Sequence, residues 1–353
     1  MSPSAGVLGR RIAGQLGPVT LEKVSEIGFA NARRNQPLIQ KGKSLLALGE
    51  TTLAGPGDAL VIAAGPSLHR YDTAAIVRQS RFAGTLIATE SSLSWCLRNG
   101  IVPDLVVTLD PHASRIVRWF GDPDLSREAL ARDDYFQRQD MDPRFGDDQL
   151  RSNRELIELV DAHGPRIKIA IASSASEAVV KRAVEAGMDL YWWNPMYDDH
   201  DLPGSLTRKL HEDNGLPCMN AGGNVGSACW VMAHAVLGKT RVGLAGVDFG
   251  YYADTPYEKT QYYKEILALV GPERLDEVFV RLTNPHLGQD FYTDPAYLWF
   301  RESFLEMVPR AECATHNCTG GGILFGPGIH WTDLHEFLAQ GEATWRSACS
   351  STR

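Results

Sequence analysis

Apolar runs that stop abruptly in polar or glycine-containing turns set the rhythm of this chain. Residues 58–64 form the first, and it ends at Gly65-Pro66-Ser67-Leu68. Glycine permits a sharp turn, proline fixes φ and lacks an N–H, and serine favours a helix N-terminus. The pattern therefore predicts strand, turn and helix, with Ser67 as the N-cap of a helix over 71–79. Residues 85–89 form a second run, ending in Glu90-Ser91-Ser92 before a helix over 93–99 closed by Gly100. Residues 104–109 form a third and end in Asp110-Pro111-His112. Further strands are predicted at 166–172, 188–193 and 241–247, the last ending in Asp248-Phe249-Gly250-Tyr251. Continuous apolar strands alternating with helices predict an α/β, Rossmann-like, mostly parallel sheet flanked by helices. In such sheets ligands bind at the C-terminal strand ends, where all these polar turns fall.

The rest of the chain is organised around that core. Residues 1–57 read as an N-terminal extension with a helix over 21–33. The nucleotide-binding domain is placed at 58–255. Its charged stretch at 122–155 reads as a solvated insertion, with a lid as the functional alternative. Residues 220–228 are glycine-rich and open a helix that runs to Leu237, with Ala228, Val231, Met232 and Ala235 on its packed face. Helix packing accounts for the small residues, whereas the amides of Asn220 and Asn224 are expected to face a partner. No strand is predicted beyond Gly271, so 256–353 reads as a C-terminal helical region packed on the core. Its helices are expected at 296–308 and 332–340. The tyrosines of the preceding loop, Tyr257, Tyr262 and Tyr263, serve either packing or contacts to phosphate and sugar oxygens.

Composition narrows the function. The 353 residues carry a formal net charge of −8, which argues against a nucleic-acid polymer as partner. No run reaches the ~20 apolar residues of a membrane span. Nothing resembling a secretory signal follows Arg10-Arg11, and the six cysteines show no CxxC spacing, so a cytoplasmic location is expected. Cys313, His316 and Cys318 lack a fourth ligand at zinc spacing, and no metal site is assigned.

The ordered set Ala64-Gly65-Pro66-Ser67-Leu68, Ala88-Thr89-Glu90-Ser91-Ser92-Leu93, Gly100-Ile101-Val102-Pro103-Asp104, Val107-Thr108-Leu109-Asp110-Pro111, Gly223-Asn224-Val225-Gly226-Ser227-Ala228 and Gly246-Val247-Asp248-Phe249-Gly250-Tyr251 resembles the DUF115 family. That family includes the motility-associated (Maf) flagellin glycosyltransferases and the archaeal 6-hydroxymethylpterin diphosphokinase MptE. The Maf branch implies a glycosyltransferase that moves an acidic, sialic-acid-like sugar from a CMP donor to a protein or glycan acceptor, with no further cofactor. Gly65, Pro66, Ser67 and Leu68 would then hold the nucleotide phosphate, and Thr89, Glu90 and Ser91 the ribose or base. Gly223, Asn224 and Tyr251 join this binding set. The pterin branch implies ATP and Mg²⁺, but the turn after residue 109 supplies a single carboxylate, fewer than that chemistry suggests. A nucleotide-binding module without turnover is the third reading. Transfer to a hydroxyl needs a base, for which Asp110, Asp248, His112 and His200 are the candidates. A strand-end aspartate also serves as a helix cap or loop anchor. The sequence is compatible with a homo-oligomer and does not fix the state.

Overall fold

A computed structural model of the chain describes residues 6–138 and 148–339. Part of the predicted insertion (139–147) and the end of the predicted last helix (340) lie outside the described residues. Among the described residues thirteen strands occur in chain order. They are β1 (Lys43–Ser44), β2 (Asp58–Ile62), β3 (Thr85–Thr89), β4 (Leu105–Val107), β5 (Lys168–Ala172), β6 (Asp189–Pro195), β7 (Cys218–Met219), β8 (Arg241–Ala245), β9 (Tyr251–Tyr252), β10 (Val280–Asn284), β11 (Gln289–Thr293), β12 (Ala314–Asn317) and β13 (Ile329–Trp331). Ten form one sheet in the order β1-β6-β5-β4-β3-β2-β8-β12-β13, with β7 paired to β6 off that path. Each pairing in it is parallel. The α/β, Rossmann-like expectation is therefore met.

The apolar runs are continuous because both faces of the sheet are covered. Leu60 and Ile62 of β2 point into one buried cluster with Trp95, Val106 and Phe337. Ala59 and Val61 point into the other, with Val107, Trp230 and Phe304. The first face carries the helices Glu90–Arg98, Gln149–His163 and Glu177–Glu185. The second carries Val225–Val231 and Pro295–Met307. Strand order reverses between β2 and β8, since β3 to β6 extend one way and β8, β12 and β13 the other. In open α/β sheets such a reversal, at the strands' C-terminal ends, is where ligands bind.

Three expectations are corrected. Strands do not stop at Gly271: β12 and β13 extend the main sheet, and β9, β10 and β11 form a separate antiparallel sheet. These strands are short and mix polar with apolar residues, since solvent or the small sheet covers part of each. Ser67 is not an N-cap. Pro66 holds that position, and a four-residue helix, Ser67–Arg70, precedes a second helix at Thr73–Gln79. Ala235 is exposed rather than packed, because the helix widens to a π-turn over Met232–Val236 and the buried face rotates. Cys313 and Cys318 pack against different buried clusters on either side of the sheet.

The N-terminal extension is part of the frame. In the long helix Leu16–Ile39, Asn31 and Asn35 lie one turn apart on the same face and are almost fully buried. The Asn31 amide donates to the carbonyls of Pro111 (3.2 Å) and Ser174 (2.8 Å). Asn35 donates to Ser173 (2.9 Å) and Ala175 (2.8 Å). The helix thus holds the turns after β4 and β5 from outside.

A methyl group at Gly65 would lie 2.5 Å from the Gly246 carbonyl and 2.6 Å from the Asp248 carboxylate. Gly65→Ala is expected to cost about 1–3 kcal/mol in urea unfolding. Gly14→Ala, at φ −65° with its nearest contact at 3.7 Å, is expected to be neutral or stabilising. Equal effects would show that the β2 turn is not tightly packed.

Candidate functional site

Four strand ends, those of β8, β2, β3 and β4, bring Asp248, Gly65-Pro66-Ser67, Thr89-Glu90-Ser91 and Asp110-Pro111-His112 side by side along one edge. At the β2–β8 reversal the Asp248 carboxylate accepts two bonds from one residue. The Ser67 N–H reaches Oδ2 at 2.7 Å and the Ser67 hydroxyl reaches Oδ1 at 2.6 Å. Both residues are 2% exposed. These are charge-assisted bonds in a dry setting, where they are strongest. Gly246, at φ +73°, lets β8 turn close enough for its carbonyl to accept the Gly65 N–H at 2.8 Å.

This arrangement corrects the reading of the glycine turn as a set of free donors. The Gly65 N–H goes to Gly246, that of Ser67 to Asp248, that of Leu68 to the Gly65 carbonyl and that of His69 to Pro66. Pro66 has no N–H. The turn does grip an anion, and the anion is the protein's own Asp248. Leu68 points into the core. Asp248 is placed as an anchor, buried and engaged, rather than as an open base.

One strand over, Thr89 caps the helix Glu90–Arg98 by accepting the Ser92 N–H at 3.2 Å, while the Ser92 hydroxyl donates to the Ile62 carbonyl at 2.6 Å. Thr89 is structural, and Ser91, half-buried, keeps its hydroxyl 3.1 Å from that of Thr89. Glu90 is only 4% exposed, so it does not reach out to a ribose. Its Oε2 instead accepts the Leu109 N–H at 3.2 Å, which pins the turn after β4. Burial first, and the neighbouring Asp110 charge second, push the Glu90 carboxyl well above its ordinary range. Asp110 itself is exposed and accepts the His112 N–H at 2.8 Å. The exposed His112 ring accepts the N–H groups of Ser114 and Arg115 through Nδ1, which assigns the proton to Nε2.

The remaining expected residues separate. Asn224 is the N-cap of Val225–Val231 and accepts the Ser227 N–H at 2.9 Å, while its amide donates to the Ser227 hydroxyl at 2.8 Å. It is therefore engaged rather than facing a partner. Gly223 is exposed and lies against the Trp299 ring. Tyr251 is buried in the small sheet, donates to Asp294 (3.1 Å) and accepts the Gln261 N–H (2.9 Å). His200 lies on the exposed loop after β6, its ring flanked by Asp199 and Asp201 and its carbonyl accepting Arg208. Five strand spacings separate β6 from β8, on the order of 24 Å, so His200 does not join Asp248.

Sequence reasoning missed several residues of this edge. Asn31 holds Pro111, and two asparagines spaced by four in an otherwise helical pattern were the available signal. Asp294 caps Pro295–Met307, and burial pushes its carboxyl up to about 6. Tyr297 stands 6.2 Å from Tyr262 and stacks on Tyr251 at 5.5 Å.

Two predictions follow from these bonds. Ser67→Ala removes a donor from a buried carboxylate and is expected to cost about 1.5–3 kcal/mol in chemical denaturation. A loss below ~0.5 kcal/mol would remove Asp248 as anchor. The second concerns Glu90. A carboxyl raised in the folded state contributes stability that is complete below its unfolded pKa and fades as pH rises through the folded one. Glu90→Gln should therefore gain on the parent protein as pH rises above the ordinary carboxylate range, read as the difference in melting temperature. A difference that stays constant with pH would show that Glu90 carries no extra proton.

Residues 31–121 match the family model described as 6-hydroxymethylpterin diphosphokinase MptE-like. No curated protein matches the chain. Among solved structures, the fold is similar to that of the Maf glycosyltransferase from Magnetospirillum magneticum AMB-1, with a TM-score of 0.50 and 15% identity over 82% of this chain. The chain spans 37% of that protein's length. At such identity the likeness concerns the fold. The resemblance carried by the turn motifs is thereby borne out: residues 31–121 carry the MptE-like pattern, and the fold is similar to that of a Maf glycosyltransferase.

Proposed function

We propose that the chain is a group-transfer enzyme that passes an acidic sugar from a CMP donor to an acceptor hydroxyl at the edge formed by β2, β3, β4 and β8. One observation carries the reading. A buried carboxyl, Glu90, whose proton affinity is raised by burial and by Asp110, braces the turn that carries the exposed Asp110, two strands from the β2–β8 reversal. Neighbouring carboxyls whose environments differ in this way divide into acid and base. Asp110 takes the acceptor proton, and Glu90 fixes the turn that presents it. Gly65 and Ala64, half-exposed, let a nucleotide approach the backbone, and the Ser91 hydroxyl borders the same opening. The fold shared with a protein described as a Maf glycosyltransferase supports this assignment.

A second reading, diphosphate transfer from ATP, is favoured by the same pair. Glu90 beside Asp110 supplies two carboxyls where the sequence pointed to one, and with Glu90 deprotonated they suit a divalent cation. Bound Mg²⁺ would offset phosphate charge that the engaged N–H groups of the glycine turn do not meet. The description of the matched family model supports this reading.

Thermal-shift measurements with CMP, CDP and an ATP analogue, each with and without Mg²⁺, separate the two. Stabilisation by CMP or CDP without metal is the expected result. Stabilisation by the ATP analogue only with Mg²⁺ would replace sugar transfer with diphosphate transfer, and no shift with any nucleotide would reject both. Asp110→Ala is expected to leave the melting temperature close to that of the parent and to lower turnover by roughly 10²–10⁴-fold.

A further inference from the structure

His112 shares a turn with Asp110, and its ring is fixed in a way that the transfer step above does not use. The turn is built by its own side chains. The Asp110 carboxylate accepts the His112 backbone N–H at 2.8 Å, and the His112 ring accepts the N–H groups of Ser114 and Arg115 through Nδ1, each at 3.3 Å. The residues around them are held as well. Arg115 is the N-cap residue of the short helix Ile116–Phe120, and its guanidinium bonds Asp133 at 2.8 and 3.2 Å. Glu90 and Asn31 brace the same turn at Leu109 and Pro111. With Nδ1 accepting twice, the neutral ring carries its proton on Nε2. Such a ring has no lone pair left for a substrate proton, so His112 is not the base that its residue type suggested. It offers an N–H instead. His112 is exposed, beside exposed Asp110, Ala113 and Ser114, and its Nε2–H meets no acceptor among the described residues.

We infer that His112 is a substrate-binding residue whose Nε2–H donates to a phosphate oxygen of the bound nucleotide. His112 takes this role only if the edge binds a nucleotide, as read above, and it serves sugar transfer and diphosphate transfer alike. In both, the leaving group is a nucleoside monophosphate. The bond from the transferred group to its phosphate oxygen breaks and leaves the electron pair on that oxygen. The acceptor oxygen forms the new bond, and its proton goes to Asp110. A fixed donor aimed at the oxygen that gains charge lowers the barrier. The glycine turn cannot supply one, because its N–H groups are engaged within the protein. The ends of β2 and β4 are two strand spacings apart, on the order of 10 Å, which an extended nucleotide spans. Asp110 is neutralised as it takes the acceptor proton, so its repulsion of the phosphate falls as the phosphate charge rises. Capping of the helix Ile116–Phe120 accounts for Nδ1, a task that asparagine or serine performs equally well, and makes no use of Nε2.

Two substitutions at this one position separate phosphate binding from capping. Asparagine sets an oxygen where Nδ1 stands and keeps the cap, but has no group at the Nε2 position. Glutamine reaches the Nε2 position with an N–H and gives up the cap. The readouts are titration calorimetry on the full chain with CMP and with cytidine, which lacks the phosphate, and the melting temperature. His112→Asn is expected to keep the melting temperature, to weaken CMP binding about tenfold and to leave cytidine binding unchanged. His112→Gln is expected to lower the melting temperature and to keep more of the preference for CMP over cytidine than His112→Asn does. A CMP-to-cytidine ratio unchanged in His112→Asn, or a CMP affinity that follows melting temperature across the two variants, would overturn the assignment of His112 and leave the nucleotide reading standing. If the parent protein binds the ATP analogue with Mg²⁺ in place of CMP, AMP and adenosine replace CMP and cytidine and the same ratio decides. If it binds no nucleotide, both fall together.

Discussion

The two bonds between Ser67 and Asp248 are the constraint on which the rest of this edge depends. They join the turn leaving β2 to the turn leaving β8, the two strands between which the sheet reverses direction. A carboxylate this deeply buried is tolerable only if its oxygens are satisfied, and a backbone N–H and a hydroxyl from one residue do so. The geometry demands close approach. The Cα of Gly65 faces the carboxylate, and the backbone of Gly322, from the loop after β12, packs on the backbone of Asp248. Three distant parts of the chain are thereby locked into one corner.

That lock decides what the edge can offer a ligand. An anion-gripping turn whose donors are already used is not an open phosphate cradle, so the accessible chemistry moves sideways to the ends of β3 and β4. There the scaffold is equally firm. Glu90 holds the turn after β4 from inside through the Leu109 N–H, and Asn31 holds it from outside through the Pro111 carbonyl. Asp110 is exposed on a turn braced from two sides, which gives the proposed base a position that needs little reorganisation.

The core of this fold could be read in the sequence for a simple reason. Strands covered on both faces must be apolar throughout, so the run over 85–89 gave β3 its observed limits, and 58–64 differs from β2 only in the residues that enter the turn. The C-terminal strands lacked that signal. Ala-Thr-His-Asn in β12 and Ile-His-Trp in β13 are short, and the pairing of β12 with β8 and of β13 with β12 reflects packing supplied from elsewhere in the chain. Among the site residues, those next to strand ends were found because a turn marks itself locally. Their roles were not, because roles depend on partners far away in sequence: Ser67 on Asp248, Glu90 on Leu109, Asn31 on Pro111. Asn224 shows the same limit. Its amide gave every sign of availability until the helix start that it caps was in view.

The division of the edge along the chain bears on how one fold can serve two chemistries. The MptE-like stretch, residues 31–121, contains Asn31, the Gly65 turn, Glu90 and Asp110, the parts that present a carboxyl pair near the β2–β8 reversal. Asp248 and the small sheet lie beyond it. In the proposed reading, then, the stretch with a family pattern handles the activated donor. Nothing in the first half distinguishes a sugar donor from a diphosphate donor, since both reactions need a bound nucleotide and a base at Asp110. The later elements are tied to the same corner: β9 begins three residues after Asp248, and the Thr293 hydroxyl of β11 donates to the Phe249 carbonyl at 2.7 Å, so the small sheet and the Ser67–Asp248 lock share one backbone turn.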